Sequence, residues 1–354
     1  MPVELLKKLI SIPSVYGNEK EIADFCQGFL KKNPKLSLLR EKNSIIAHTE
    51  IEESKKTVAL VGHLDTVPGE NEFSGQIKEG RLYGLGASDM KAGDAVLLKI
   101  AEDLKGSESK YNLFFILYEK EEGPYEDNGL RTLFRKHEEL LKKIDFAFVL
   151  EPTDNTVQVG CLGVIHAWFV FKGKRAHSAR PWEGENAIHK ADKLLNFLRG
   201  LKPKPYTVGN LTYYEVLNAT MVEYKGGRNI IPEEFKVNLN YRFSPTKTQE
   251  EAIEELKEFG RKTEADQVIF TDVSPSARAC LDNPILENFL KEYKIKVEPK
   301  QAWTDVAQLS SHGIDAVNFG PGQPHQAHQK NEWVELSKVK ENYRMLKGFL
   351  LNSP

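Results

Sequence analysis

Cysteine is scarce in this chain of 354 residues. Only Cys26, Cys161 and Cys280 occur, odd in number and far apart, which excludes a disulfide scaffold and a thiolate metal site and predicts reduced, buried thiols. Any metal must then be held by histidine and carboxylate. Charge of one sign is also missing. The 49 Lys and Arg against 51 Asp and Glu leave a formal net charge of -2, so no global field exists to hold a polyanion or an anionic membrane, and neither nucleic acid nor membrane is expected as a partner. No stretch reaches the roughly 18 uncharged apolar residues of a membrane-spanning helix. Met1-Pro-Val-Glu-Leu-Leu-Lys-Lys8 lacks the apolar core of a secretory signal, and a cytoplasmic location is expected. Internal repeats and low-complexity tracts are absent too, which excludes solenoids and disordered tails.

What is present reads as two globular units. At about 150 residues per domain the length favours two cores over one, and 40% hydrophobic with 28% charged residues is ordinary for soluble domains. Ile22, Phe25, Cys26, Phe29 and Leu30 recur at helical spacing within Glu19 to Lys32, predicting one buried stripe. Thr57 to His63, Tyr111 to Tyr118 and Asp145 to Leu150 are short continuous apolar runs, the pattern of strands covered by helices on both faces. These alternations predict an α/β layered domain with a mixed, mostly parallel sheet.

After Gly163 the period changes. Val164 to Phe171 opens a new block, and Phe235 to Phe243 alternates apolar and polar residues, as in an antiparallel sheet with one wet face. Helical stretches are expected near Glu185 to Leu198 and Gln249 to Thr263. Asp315 to Phe319 again reads as a buried strand, and Leu336, Val339, Tyr343, Leu346 and Leu350 stripe a terminal helix. The expected layout is therefore a discontinuous first domain, 1–163 with 277–354, and an α+β insert, 164–276.

Three familiar motifs fail on inspection. Gly84-Leu-Gly86 has Asp89 where a dinucleotide fingerprint needs glycine, Gly86-Ala-Ser88-Asp-Met90 lacks the closing glycine of a nucleophile elbow, and His137-Glu138 is followed by Leu141 where a zincin needs histidine. What remains is a set of acids and histidines at strand ends. Loops at the carboxyl ends of strands in an open α/β sheet converge on one crevice, so His63, Asp89, Glu121, Glu122 and Glu151 are expected to meet there. Asp65, two residues beyond His63 on an extended chain, is placed to accept the other ring N–H of His63. Acids resist crowding unless a cation neutralises them. Two zinc ions about 3.5–4 Å apart, sharing one carboxylate and a bridging hydroxide, would relieve the repulsion and create a nucleophile suited to amide hydrolysis. Singly, Asp89 or Glu151 would read as a helix cap and His63 as a core imidazole. Their order at successive strand ends is what distinguishes them.

Val61-Gly-His63-Leu-Asp65-Thr-Val-Pro68, Gly80-Arg-Leu-Tyr-Gly-Leu-Gly-Ala-Ser-Asp89-Met-Lys-Ala-Gly93, Glu121-Glu122-Gly123, Glu151-Pro152-Thr153 and Gly320 to Glu332 resemble, in order, the motifs of the dizinc metallopeptidase family that includes carboxypeptidase G, aminoacylase, acetylornithine deacetylase and succinyl-diaminopimelate desuccinylase. The resemblance implies that His63 and Glu151 hold one zinc, that Glu122 and His328 hold the other, and that Asp89 bridges both, with cobalt or manganese as substitutes. It further implies Glu121 as general base, Asp65 orienting His63, and a cis peptide after Asp89. His325 competes for the last ligand position, but only His328 has the Asn331-Glu332 sequel at the family's distance. Tyr118-Glu119-Lys120 replaces the usual acidic lead into the glutamate pair, and Gly123 favours Glu121 as the base.

The insert carries further resemblances. Lys172 to Trp182 is similar to the family's lid segment, implying a homodimer in which His177 reaches into the neighbouring subunit and stabilises the oxyanion. Gly227 to Pro232 and Tyr241 to Pro245 are similar to two more lid motifs, which makes Arg180, Asn229 and Arg242 candidate carboxylate binders, alongside Thr304 in Trp303-Thr304-Asp305-Val306-Ala307. Within the family, Ser88 to Val96, Gly160 to Gly163, His177 to Arg180, Asn186 to His189 and Trp303 to Ala307 look most like the actinobacterial desuccinylases, which remove succinate from N-succinyl-L,L-2,6-diaminopimelate in lysine and cell-wall precursor biosynthesis. An acetylornithine deacetylase-like or broader aminoacylase specificity is the alternative, and a non-catalytic metal- or peptide-binding relative is a second.

Overall fold

Strands Thr57–His63, Asn112–Tyr118 and Phe146–Pro152 are buried along their whole length, as continuous apolar runs require. The computed structural model describes residues 1–72 and 74–352, so the last two residues of the expected 277–354 segment lie outside it. The three strands form the parallel centre of an eight-stranded sheet with Asp315–Gly320. An antiparallel hairpin, Ser37–Glu41 with Ser44–His48, extends one side, and Val157–Val159 and Val297–Pro299 extend the other. Parallel register pairs His63 with Tyr118 and Val61 with Val149. The carboxyl ends of neighbouring strands are thereby brought level, and the loops that leave them share one edge.

Helix Lys91–Asp103 is buried on nearly every side, and two glycines let it lie close to the sheet. A Cβ on Gly93 would stand 2.4 Å from the Leu150 carbonyl oxygen, and one on Gly62 would stand 2.2 Å from Asp94 Oδ1. Only hydrogen fits at either place. The terminal helix Leu336–Leu350 buries Val339, Leu346, Phe349 and Leu350, much of the expected stripe. Among the described residues no helix is long and apolar enough to cross a membrane.

The chain divides into two compact units. The first comprises 1–159, 280–298 and Gln308 onward; the second comprises 160–279 and 299–307. Segment 299–307, expected with the first domain, packs with the second instead. Its side chains explain why: Gln301 exchanges hydrogen bonds with both backbone groups of Tyr214, and Trp303 Nε1 donates to the Pro275 carbonyl.

The second unit is built on an antiparallel sheet ordered Lys204–Val208, Leu211–Gly227, Ile230–Phe243, Gly163–Lys172 and Gln267–Ser274. One face carries Ile165, Ala167, Phe169, Val237, Leu239 and Phe243, packed with Ala187, Leu194, Ala252 and Leu256 from the helices. Alternation along each strand sends the polar residues to the other face. The helix expected from Glu185 to Leu198 is two, Ala187–Lys190 and Asp192–Gly200, the first starting where Asn186 accepts the N–H groups of Ile188 and His189. Gln249–Lys262 opens on a capping box between Thr248 and Glu251, worth about 1 kcal/mol.

Candidate active site

His63 ends its strand almost fully buried. Its Nδ1 stands 3.0 Å from the backbone carbonyl oxygen of Asp65. A carbonyl only accepts, so Nδ1 carries the hydrogen and Nε2 faces Asp89 Oδ1 at 3.2 Å and Glu151 Oε1 at 3.9 Å. A lone pair aimed at two carboxylates is stable only with a proton or a metal cation between them. Burial alone would lower the His63 pKa, but the Asp89 hydrogen bond and the charges of Glu121, Asp65 and Asp89 together raise it well above the ordinary imidazole value.

A second cluster mirrors the first. His328 Nε2 lies 3.0 Å from Glu122 Oε2 and 3.7 Å from Asp89 Oδ2. The Glu122 hydrogen bond pushes its pKa to about 9. Asp89 thus turns Oδ1 to one histidine and Oδ2 to the other. Donor atoms of His63, Asp89 and Glu151, of Asp89, Glu122 and His328, and of His63, Glu121 and Glu122 fall within 4.8 Å of one another in each group. Imidazole nitrogens and carboxylate oxygens without thiolate suit a zinc-like dication, and two groups sharing Asp89 suit a pair of them.

Asp65 orients His63 by a different atom from the one expected. Its backbone carbonyl takes the ring hydrogen, while its carboxylate Oδ1 stays 3.7 Å away. The carboxylate is occupied elsewhere, Oδ1 accepting the N–H of Glu121 and Oδ2 that of Glu122, both at 2.9 Å. Asp65 therefore fixes the backbone of the glutamate pair. Gly123 follows where a Cβ would stand 1.9 Å from the Tyr16 ring, and Tyr16 donates to Asp127 Oδ2 at 2.8 Å. Aromatic packing and one hydrogen bond hold this loop from its other side.

In the sequence Glu332 is only a spacing mark for His328. In the structure its buried carboxylate accepts three backbone N–H groups, Gly86 at 2.7 Å, Ser88 at 2.6 Å and Asp89 at 2.9 Å. These bonds hold the turn that presents Asp89, whose peptide bond to Met90 is cis, as the resemblance implies. A glutamate closing a glycine- and proline-rich loop, where solvated acids are the norm, was the available signal.

The remaining candidates lie in the second unit. His177 is exposed on the short strand Ala176–His177, which pairs with Ile230 and Ile231. Its Nδ1 accepts the Ala179 N–H, and the Ser178 N–H donates to the Asn229 carbonyl at 3.0 Å. His177 and Asn229 therefore share one corner, with Arg180 exposed beside them. Arg242 is half-buried further along its strand, where Nε donates to Asn240 Oδ1 at 2.9 Å. Thr304 is buried, and its Oγ1 has no hydrogen-bond partner among the described residues. His325 stacks edge-on against Trp333 and belongs to none of the metal-competent groups.

Donors so arranged at the ends of parallel strands define a metal-dependent α/β enzyme. The sequence model of peptidase family M20/M25/M40 matches residues 59–352, and the chain belongs to that family. The succinyl-diaminopimelate desuccinylase of Corynebacterium glutamicum is 34% identical to it over 355 residues, covering 99% of this chain and 96% of its own. A Mycobacterium tuberculosis protein provisionally given the same name is 34% identical over 352 residues, covering 99% and 98%. Among solved structures, an aminopeptidase PepT from Bacillus cereus superposes with a TM-score of 0.80 at 18% identity, covering 99% of this chain and 97% of that one. A dinuclear metal-binding M20 peptidase from Bacillus subtilis gives 0.74 at 15% identity, covering 98% and 96%. Both share its fold.

Proposed function

We propose that this chain removes the succinyl group from N-succinyl-L,L-2,6-diaminopimelate, giving succinate and L,L-diaminopimelate for lysine and cell-wall precursor biosynthesis. The observation that carries the reaction class is the Asp89 carboxylate, one oxygen toward His63 and the other toward His328. The full-length similarity to named desuccinylases supports the substrate. In this reading His63 and Glu151 would hold one cation and Glu122 and His328 the other, with Asp89 shared between the two groups. Zinc is the proposed metal, with cobalt or manganese as substitutes. Such a pair, when bound, supplies a Lewis acid for the amide carbonyl and lowers the pKa of water.

The side chains supply the rest. Glu121 takes a proton from the attacking water as the C–O bond forms and the carbonyl oxygen becomes an oxyanion; when that species collapses, the C–N bond breaks, Glu121 delivers the proton to the departing nitrogen, and the base returns to its starting state. Asp65 keeps Glu121 in place through the backbone bond described above. His177 stabilises the oxyanion. Arg180, Asn229, Arg242 and Thr304 bind the carboxylates of a strongly anionic substrate, a task suited to the guanidinium fork.

We further propose a cytoplasmic homodimer formed through the second unit. Support comes from strand Leu211–Gly227, which Lys204–Val208 pairs only as far as Glu215. Beyond that, Met221, Val222 and Tyr224 are each more than half exposed, and such an edge invites pairing. A substrate panel tests the main reading: zinc-loaded protein is expected to release succinate from N-succinyl-L,L-diaminopimelate much faster than acetate from N-acetylornithine. The reverse preference would make it a deacetylase. No turnover of either would point to a binding protein.

A further inference from the structure

The polar face of the second unit's sheet carries a directed chain of hydrogen bonds. Arg242 Nε donates to Asn240 Oδ1 at 2.9 Å, Asn240 Nδ2 lies 2.9 Å from His166 Nε2, His166 Nδ1 lies 3.1 Å from Asn238 Oδ1, and Thr220 Oγ1 donates to that same oxygen at 2.9 Å. Its direction follows from chemistry. A guanidinium has no acceptor, so Asn240 must turn its oxygen to Arg242 and its amino group to His166. His166 Nε2 must then accept, which leaves the ring hydrogen on Nδ1, and Asn238 must answer with its oxygen.

Arg242 is the end of the chain. It is half-buried, and the Nε bond is its one side-chain hydrogen bond among the described residues. Nη1 and Nη2 have no partner there. Asp272, the acid whose charge acts most on it, forms no ion pair with it within 4.0 Å and is itself bonded by Ser274. Burying part of a guanidinium without a carboxylate is costly, and the relay spends its one fixed bond on holding the plane of the group.

We infer that His166 is a positioning residue which, in its Nδ1–H form and acting through Asn240, sets the plane of the Arg242 guanidinium for a carboxylate of the substrate. The inference rests on the proposed role of Arg242, and the test separates the two. With N-succinyl-L,L-diaminopimelate, Arg242→Ala is expected to raise KM about a hundredfold, as loss of a bidentate charge-assisted pair should. His166→Leu is expected to raise KM about tenfold with kcat within twofold, and to add nothing to Arg242→Ala in the double variant. His166→Gln, whose side-chain oxygen reaches the Nε2 position, is expected to restore KM.

Nitrogen-15 spectra of histidine-labelled protein, with the His166 signal assigned by its loss in His166→Leu, should show the Nδ1–H tautomer. That readout does not depend on any substrate. An unchanged KM in Arg242→Ala would overturn the carboxylate-binding role of Arg242. A raised KM there with an unchanged KM in His166→Leu, or an Nε2–H tautomer, would overturn the relay.

Discussion

Replacing Glu332 by glutamine tests whether the Asp89 turn is held by one remote side chain. In the native chain Oε1 accepts the Ser88 and Asp89 N–H groups and Oε2 accepts that of Gly86. A glutamine can keep its oxygen on the first pair, but its amino group then faces the Gly86 N–H, donor against donor. One charge-assisted bond is lost and the other two are weakened, about 1.5–3 kcal/mol for the first. Part of this is offset, because burial pushes the Glu332 pKa up to about 7 against the pull of its backbone bonds, and a neutral amide escapes that penalty. Partners of this kind typically change metal affinity by about 10–100-fold. The expected outcome is therefore a zinc affinity weakened within that range, measured by competition with a chromophoric chelator, and an apo-protein melting temperature lower by about 2–4 °C per kcal/mol lost. Unchanged affinity in a cooperatively melting variant would refute the idea that Glu332 sets the geometry of Asp89.

Other consequences follow from the same geometry. Glu121→Gln is expected to lower kcat by about 10³-fold or more with little change in KM or bound metal, since in the proposed mechanism it removes only the proton acceptor; retained hydrolysis in steady-state assays would assign the base elsewhere. Metal loading should release protons at pH 7, because His63 and His328 hold theirs above the ordinary imidazole range and must give them up to act as the proposed ligands. The His328 share should vanish as pH rises past about 9, which calorimetry in buffers of different ionisation enthalpy will detect. Gly93→Ala drives a methyl to 2.4 Å from the Leu150 carbonyl and should cost about 1–3 kcal/mol in denaturant melts. Val222→Asp on the exposed strand edge should convert the proposed dimer to a monomer in light scattering, leaving metal content intact.

What the sequence disclosed and what it hid divide along a physical line. The central strand Thr57–His63 and the terminal helix were legible because a buried strand is apolar throughout and a half-buried helix is apolar at a fixed period. His63, Glu151 and the glutamate pair were legible for a related reason, since each lies on or just beyond a readable strand and parallel pairing brings those ends level. Local pattern said less where side-chain bonding, not burial, decides the outcome. The helix expected from Glu185 starts instead after the Asn186 cap, and Pro299–Ala307 joins the second unit through Gln301 and Trp303. Two features of the site do not follow from spacing. Closeness in the chain points the Asp65 carboxylate to His63, whereas it bonds to residues 56 and 57 positions away. Glu332 reaches the Asp89 amide across 243 positions. Spacing exposes donors that a regular element carries to a shared edge, but it cannot expose an acceptor whose partners are backbone amides, because every residue except proline has one. A polar group that organises a site through the main chain leaves no complementary residue type in the sequence to betray it.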